Sequence, residues 1–93
     1  MTYTVKMTAT FRKDYKLAIR RNLPVEKLDW AVKQLAAGNV LPPQFHDHAL
    51  SGNWTGFREC HITPDWLLLY YYVNNICVLT LARTGTHADI FWK

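Results

Sequence analysis

WLLLYYYV, the stretch Trp66–Val73, decides the fold class of this 93-residue chain. A continuous run of apolar and aromatic residues of this length predicts a central strand of a β-sheet. Asn74-Asn75 follows as a two-residue hairpin turn, because asparagine tolerates positive φ, and residues 76–82 return as the next strand. Residues 57–62 alternate in polarity ahead of the run. The C-terminal half therefore predicts three antiparallel strands joined by short turns.

The N-terminal half predicts a short strand and two helices. Residues 3–6 form the strand, and Thr8 is the expected N-cap of a helix that runs to about Arg21. Pro24 suits the first turn of a second helix, and Gly38 is the expected residue just past its end.

One domain, residues 1–93, accommodates all of these elements. The expected class is α+β, with two N-terminal helices packed on one face of a mostly antiparallel sheet of four or five strands. The element order is β-α-α-β-β-β, and a short last segment, residues 89–92, closes the chain.

Composition excludes several classes of protein. Nearly half of the residues are apolar and 14% are aromatic, which excludes a disordered tail. No apolar run approaches the ~20 residues of a membrane helix, and the first residues lack the apolar segment of a secretory signal. Two cysteines are too few for a disulfide-rich scaffold. We therefore expect a cytoplasmic protein with reduced thiols.

The positive charge is concentrated at the N-terminus. Residues 1–21 carry +5 and residues 22–93 carry −1, for a total of +4. Four basic side chains lie opposite the apolar face of the first helix: Arg12, Lys13, Lys16 and Arg20. We call these four residues the basic stripe. The stripe indicates a polyanionic or acidic partner, and an ordinary solvated helix face stays open as the alternative.

Strand pairing follows from the turn lengths. A two-residue turn pairs Val73 with Ile76 and therefore Trp66 with Arg83, and the preceding loop pairs His61 with Trp66. Alternation then divides the side chains into two faces. The more uniformly apolar face, assigned to the helices, comprises Cys60, Ile62, Leu67, Leu69, Tyr71, Val73, Ile76, Val78 and Ala82. The opposite face comprises Phe57, Glu59, His61, Trp66, Leu68, Tyr70, Tyr72, Cys77, Leu79, Leu81 and Arg83. Because Cys60 and Cys77 point to different faces, no disulfide is expected between them.

Residues suited to phosphodiester chemistry in RNA gather at one end of that opposite face. They are His61, Asp65, Trp66, Arg83 and His87, with His46 and His48 in the loop that leads to them. One base takes the proton of the 2′-hydroxyl and one acid gives a proton to the leaving 5′-oxygen, and histidine suits both tasks. An arginine stabilises charge on the phosphate, and Trp66 and Phe91 offer stacking surfaces for unpaired bases. RNA carries its own nucleophile, so no metal is needed.

Each of these residues also has a structural interpretation. Trp66 could belong to the core, and His61 could be an ordinary histidine at a strand end. Arg83 could be the ion-pair partner of Asp65 or Glu59.

His46-Asp47-His48 is a possible chelating pair of histidines. The segment follows two prolines in an expected loop, and no cysteine stands at ligand spacing. No metal site is predicted here.

Four strings of the sequence follow one another at a distinctive spacing: FRKDYK at residues 11–16, DHALSGNWTGFR at 47–58, HITPDW at 61–66 and RTGTHA at 83–88. Together they resemble the RelE superfamily of bacterial toxins, most closely its YafQ branch. The likeness extends over almost the whole chain.

The resemblance implies a compact fold of two helices on a mostly antiparallel sheet. It implies an mRNA interferase that cuts codons in the ribosomal A site, where ribosomal RNA completes the active site. It also implies a cognate antitoxin, acidic, partly disordered and DinJ-like, and contact with operator DNA only through the antitoxin complex. No cofactor and no membrane association are implied. The family's functional positions fall on His48, His61, Asp65, Trp66, Arg83, His87 and Phe91, of which His48, His87 and Phe91 rest on the resemblance alone.

Within this scheme Arg83 stabilises charge and His87 transfers a proton. His48, His61 and Asp65 share the opposite proton role, and the basic stripe contacts ribosomal phosphates. His46 is an extra histidine that could substitute for its neighbour or interfere with it.

Two classes of function stay open. The first is a ribosome-dependent endoribonuclease, which is favoured because every motif histidine and arginine is present. The second is a non-catalytic binding module, a decayed toxin that still pairs with an antitoxin and an operator complex.

Overall fold

The computed structural model describes residues 2–91 of the chain. Its strands are β1 (Thr4–Met7), β2 (His48–Ala49), β3 (Arg58–Thr63), β4 (Trp66–Val73) and β5 (Val78–Gly85), and its helices are α1 (Ala9–Arg20), α2 (Val25–Ala36) and α3 (His87–Phe91). The strands form one sheet in the order β1-β5-β4-β3-β2, in which β1 and β5 are parallel and the other pairs are antiparallel. The predicted α+β class is confirmed, whereas β2 and α3 were not predicted.

The two long helices begin and end where the sequence predicts. The Thr8 hydroxyl accepts a hydrogen bond from the backbone N–H of Phe11 and donates one to the carbonyl of Ala82 on β5. The N-cap of α1 is therefore also its anchor on the sheet. After α2, Gly38 takes a φ of 80°, a left-handed conformation that glycine adopts without a steric penalty.

The sheet buries both of its faces. Helices α1 and α2 cover one face over the larger core, which includes Phe11, Leu28, Leu35, Trp66 and Tyr70. The other face carries a smaller apolar cluster, in which Leu67, Leu69 and Ile90 pack with Leu50, Trp54 and Phe91. Burial on both sides explains why β4 is a continuous apolar run with no alternation.

The hairpin between β4 and β5 is longer than the two-residue turn that the sequence predicted. Val73 pairs with Val78, and the connection contains a 3₁₀ turn at Asn74–Ile76 followed by Cys77, whose φ is 52°. The predicted pairing of Val73 with Ile76 is wrong, because the turn needs two more residues.

Two irregularities then shift the register along β4. The pairing slips by one residue between Leu69 and Tyr70 on the β5 side, so Arg83 lies opposite Leu69. It slips again between His61 and Thr63 on the β3 side, so Trp66 lies opposite Thr63. The predicted pairs of Trp66 with Arg83 and of His61 with Trp66 are therefore wrong.

The slip beside Trp66 also corrects the assignment of faces, since a shift of one residue moves a strand's side chains to the other face. The β3 residues lie as predicted, with Cys60 and Ile62 toward the helices. On β4 and β5 the assignment is inverted, because the side chains in the helix-covered core are Trp66, Leu68, Tyr70, Leu79 and Leu81. Arg83 remains on the face away from α1 and α2, opposite Leu69. Both cysteines are free, as predicted.

The end of the chain is helical in the part that the structure describes. The last segment begins at His87 as α3, two residues before the predicted position, and Trp92 lies outside the described residues. Across residues 2–91 no helix has the length and apolar character to cross a membrane.

Candidate active site

A histidine pair and a buried carboxylate form the centre of the candidate site. His48 on β2 lies directly opposite Glu59 on β3, and His61 follows Glu59 by two residues on the same face. The Nε2 atoms of His48 and His61 lie 3.3 and 3.7 Å from the same Glu59 oxygen, Oε2. The three side chains belong to the sheet face that α1 and α2 leave free.

The other two histidines of the chain complete this cluster. His46 follows a 3₁₀ turn at Pro43–Phe45, and its ring packs edge-on against that of His61 with 5.6 Å between centroids. The ring of His87, the first residue of α3, lies 6.5 Å from that of His61. Four imidazoles thus meet at one end of the sheet, which confirms that His46 and His48 lead into the site.

Glu59 is the residue of this cluster that sequence reasoning missed as a functional candidate. Only 4% of its surface is exposed, which is rare for a glutamate. A signal was present in the sequence, since Glu59 and His61 are two positions apart on one strand and therefore share a face.

The segment that carries His46 and His48 is anchored through the aspartate between them. Asp47 accepts a hydrogen bond from the Tyr70 hydroxyl and lies 3.3 Å from the Arg58 guanidinium. Burial raises the pKa of the Tyr70 hydroxyl, and the hydrogen bond to Asp47 raises it further. Asp47 and Arg58 line a cavity of about 460 Å³ together with Tyr70 and Tyr72. Asp47 is thus part of the support of the histidines.

Helix α3 is held in place by the residues of the RTGTHA string and by α1. Asp89 accepts hydrogen bonds from the backbone N–H of Thr86 and from Arg21, and Thr86 Oγ1 accepts one from the backbone N–H of Asp89. A Cβ at Gly85 would lie 2.9 Å from the Cβ of Asp89, so this approach requires glycine. The consequence is a fixed position for His87, whose ring packs 5.4 Å from that of Phe91.

Phe91 and Trp54 extend the site with aromatic surface. Their ring centroids are 5.4 Å apart in an edge-to-face arrangement, and Trp54 packs in the same way on Phe57. Phe91 and Trp54 are both partly exposed. Sequence reasoning named Phe91 but not Trp54, although Trp54 lies within one of the resemblance strings.

Arg83 is held by an aspartate of α1. Its Nε and Nη2 atoms donate to the two oxygens of Asp14 at 2.8 and 3.2 Å, and the backbone N–H of Thr84 donates to the same carboxylate at 3.1 Å. The hydrogen bond to Asp14 raises the pKa of the guanidinium above its ordinary value, so Arg83 stays charged. The partner is neither Asp65 nor Glu59, the two that the sequence suggested.

Trp66 and Asp65 do not join the cluster as predicted. Trp66 is 1% exposed in the helix-covered core, so its indole offers no surface on which a base could stack. Asp65 is exposed at the turn between β3 and β4. The turn meets the site through Pro64, whose carbonyl oxygen lies 3.3 Å from His61 Nδ1.

The basic stripe is on the surface, as predicted. The four residues are exposed along α1: Arg12, Lys13, Lys16 and Arg20. The next arginine, Arg21, differs from them because it forms the ion pair with Asp89 at 2.8 Å.

The arrangement of the site does not fit a metal centre. Within residues 2–91 no three His, Cys, Asp or Glu side chains are grouped so that they could hold a metal ion. The ring nitrogens of His48 face Glu59 Oε2 and the carbonyl oxygen of His46, the latter at 2.7 Å. The cluster suits acid–base chemistry with a cationic group nearby.

Comparison with known proteins assigns the chain to a family. The family model described as "Bacterial toxin of type II toxin-antitoxin system, YafQ" matches residues 3–92. The mRNA interferase toxin YafQ of Escherichia coli strain K12 is 36% identical over 88 residues, which cover 94% of each chain.

Two solved structures support the same assignment. The DinJ–YafQ toxin–antitoxin complex of E. coli contains a chain that is 35% identical, with a TM-score of 0.88 and coverage of 98% of this chain and 99% of the other. A metal-bound toxin from Helicobacter pylori is 34% identical, with a TM-score of 0.92 and coverage of 97% and 100%. The conserved length, fold and motif strings lead to one conclusion: the chain belongs to the YafQ family of toxins of bacterial type II toxin–antitoxin systems.

Proposed function

We propose that the chain is a ribosome-dependent endoribonuclease that cleaves mRNA and thereby arrests growth. The observation that carries the proposal is the cluster of four histidines around Glu59, with a charged arginine on the same face of the sheet. The E. coli relative that matches 94% of this chain is named an mRNA interferase. Acid–base groups beside a phosphate-binding cation are what phosphodiester cleavage requires.

The reaction is an in-line attack of the ribose 2′-hydroxyl on the adjacent phosphorus. A base accepts the 2′-proton, the bond to the 5′-oxygen breaks, and an acid protonates that oxygen. The products are a 2′,3′-cyclic phosphate and a 5′-hydroxyl, and no metal takes part. Arg83 stabilises the charge on the phosphate, and His87 is one of the two proton-transfer groups. His48, His61 and Asp65 share the other proton role.

His87 is the strongest candidate for direct contact with the substrate. It is exposed at the start of α3, and the Phe91 ring beside it is available for stacking on an unpaired base. Trp66, by contrast, supports the site from the core beneath it.

The surfaces outside the site suit a ribosome and an antitoxin. The basic stripe is positioned to contact ribosomal RNA phosphates, which lie in the cytoplasm where the protein acts. The E. coli relative was crystallised with its antitoxin DinJ. We expect a cognate antitoxin of the same kind, acidic and partly disordered, that covers basic and aromatic surface of this chain. Operator DNA is contacted through that complex.

The test is controlled expression followed by mapping of cut transcripts. Growth should stop on expression of the chain and recover when the cognate antitoxin is expressed with it. Cuts should map within codons of translated mRNA and should be absent with His87→Ala. Normal growth at a verified level of wild-type protein would instead favour the decayed toxin.

Purified ribosome complexes test the chemistry. Cleavage should persist in EDTA when polyamines keep the ribosomes intact, and the fragments should end in cyclic phosphate and 5′-hydroxyl. Fragments that end in 3′-hydroxyl and 5′-phosphate would indicate a metal-activated water and overturn this mechanism.

A further inference from the structure

Glu59 occupies a position in which it contacts two candidate catalytic groups at once. Its row of the sheet runs from His48 on β2 through Glu59 to Leu69 on β4 and Arg83 on β5, all by direct cross-strand pairing. The side chain of Glu59 is 6% exposed, and one of its oxygens lies within ion-pair distance of both His48 and His61.

A buried carboxylate needs a compensating positive charge. Across residues 2–91, the ion pairs of Glu59 are those with the two imidazoles. Arg58 is adjacent in sequence, but it is bound to Asp47 in the network with Tyr70. Arg83 is bound to Asp14. The compensating charge must therefore be a proton on an imidazole.

The second nitrogen of each ring points to the same conclusion. His48 Nδ1 lies 2.7 Å from the carbonyl oxygen of His46, and His61 Nδ1 lies 3.3 Å from that of Pro64. A carbonyl oxygen only accepts hydrogen bonds, so Nδ1 is the donor in each case. Nε2 then faces a carboxylate, and that contact is favourable when Nε2 also carries a proton. The geometry thus matches a ring with both nitrogens protonated.

We propose that Glu59 is a positioning residue that orients His48 and His61 and holds a proton on this histidine pair. The proposal rests on the proposed function and assigns the pair the part of proton donor. A protonated pair also offsets the negative charge of Glu59, which would otherwise oppose the phosphate of the substrate. Glu59 itself acts through the histidines and does not touch the reacting atoms.

Few other titratable or charged groups face this pair. His46 and His87 lie 5.6 and 6.5 Å from His61 between ring centroids. Asp65 is exposed on the adjoining turn, and on β5 Arg83 is neutralised by Asp14. Cys60 belongs to the core on the other face. Glu59 is thus the nearest negative charge to both imidazoles within ion-pair distance.

The test combines nitrogen-15 NMR of the histidine rings with cleavage kinetics. At about pH 6.5, the ordinary titration midpoint of histidine, His48 in the wild-type protein should show two protonated ring nitrogens. In Glu59→Gln it should show Nδ1 protonated and Nε2 bare. Single-turnover cleavage by the variant should fall at least about tenfold, as for other residues that orient a working side chain. KM should stay equal or fall, since a negative charge near the phosphate has been removed.

Glu26→Gln is the matched control, because Glu26 is the chain's only other glutamate and is exposed on α2. Antitoxin binding should be the same in both variants. An unprotonated Nε2 of His48 in the wild type would overturn the inference whether or not the variant folds. So would a fully active Glu59→Gln enzyme. A wild-type chain that fails to cleave mRNA would refute the proposed function, and the NMR result would still decide the role of Glu59.

Discussion

Arg83 of β5 and Asp14 of α1 form a two-point ion pair across 69 residues of sequence, with donor–acceptor distances of 2.8 and 3.2 Å. A bidentate pair of this kind fixes the plane of the guanidinium as well as its charge. It leaves the Nη1 nitrogen without a bond to Asp14, so Arg83 can still donate to a phosphate. The FRKDYK string and the RTGTHA string meet in this pair, which explains the presence of both in one motif set.

Asp14→Asn should weaken both the fold and the reaction. The neutral amide loses the charge-assisted bonds to Arg83, and we expect the free energy of unfolding to fall by about 1.5–3 kcal/mol. Urea unfolding of the purified protein measures this change. Single-turnover cleavage should also decrease, because the guanidinium is no longer oriented. Asp29→Asn, an exposed aspartate of α2 that accepts a hydrogen bond from Tyr15, should change stability less, and equal losses in the two variants would contradict the role given to Asp14.

The anchor of α3 should weaken in acid. The hydrogen bond from Arg21 and that from the Thr86 backbone hold the pKa of Asp89 below its ordinary value. A lowered carboxylate pKa stabilises the folded state fully above the unfolded-state pKa of about 4, and this stabilisation is lost as the pH falls through the folded-state value. Asp89→Asn should therefore be less stable than wild type at pH 7, and the difference should shrink toward pH 3. A difference that grows in acid would contradict this sign.

His87→Ala should nearly abolish cleavage while the fold and antitoxin binding persist. Loss of a general acid or base lowers a rate by ~10²–10⁴, and His87 is the exposed imidazole next to Phe91. Single-turnover kinetics on programmed ribosomes measures the effect. His46→Ala is the matched control, because His46 is exposed in the same cluster and packs on His61. If the two variants lost activity equally, proton transfer would not be specific to His87.

Neutralising the basic stripe should lower ribosome affinity without slowing the chemistry. Replacing Arg12, Lys13, Lys16 and Arg20 by Gln removes exposed charges that are positioned for phosphate contact. Binding should weaken and depend less steeply on salt concentration. Single-turnover cleavage at saturating enzyme should be unchanged. Lys27→Gln with Lys33→Gln on α2 is the control, and a collapse of the saturated rate in the stripe variant would place the stripe in the active site.

The sequence alone determined the elements that local interactions specify. Thr8 caps α1 through its own hydroxyl, Gly38 ends α2 through its own backbone freedom, and the run Trp66–Val73 forms a strand whatever its partners. The motif strings brought His48, His61 and His87 together by resemblance, and the structure places all three in one cluster.

Tertiary structure decided which side chains share a face and which pairs form. β4 is buried on both sides, so alternation carries no signal there, and a slip of one residue beside Thr63 turned Trp66 toward the helices. The partner of Arg83 comes from 69 residues away, and the burial of Glu59 exists only once β2 and β4 flank β3. Turn length, register slips and long-range ion pairs depend on the whole packed sheet, and local sequence does not encode them.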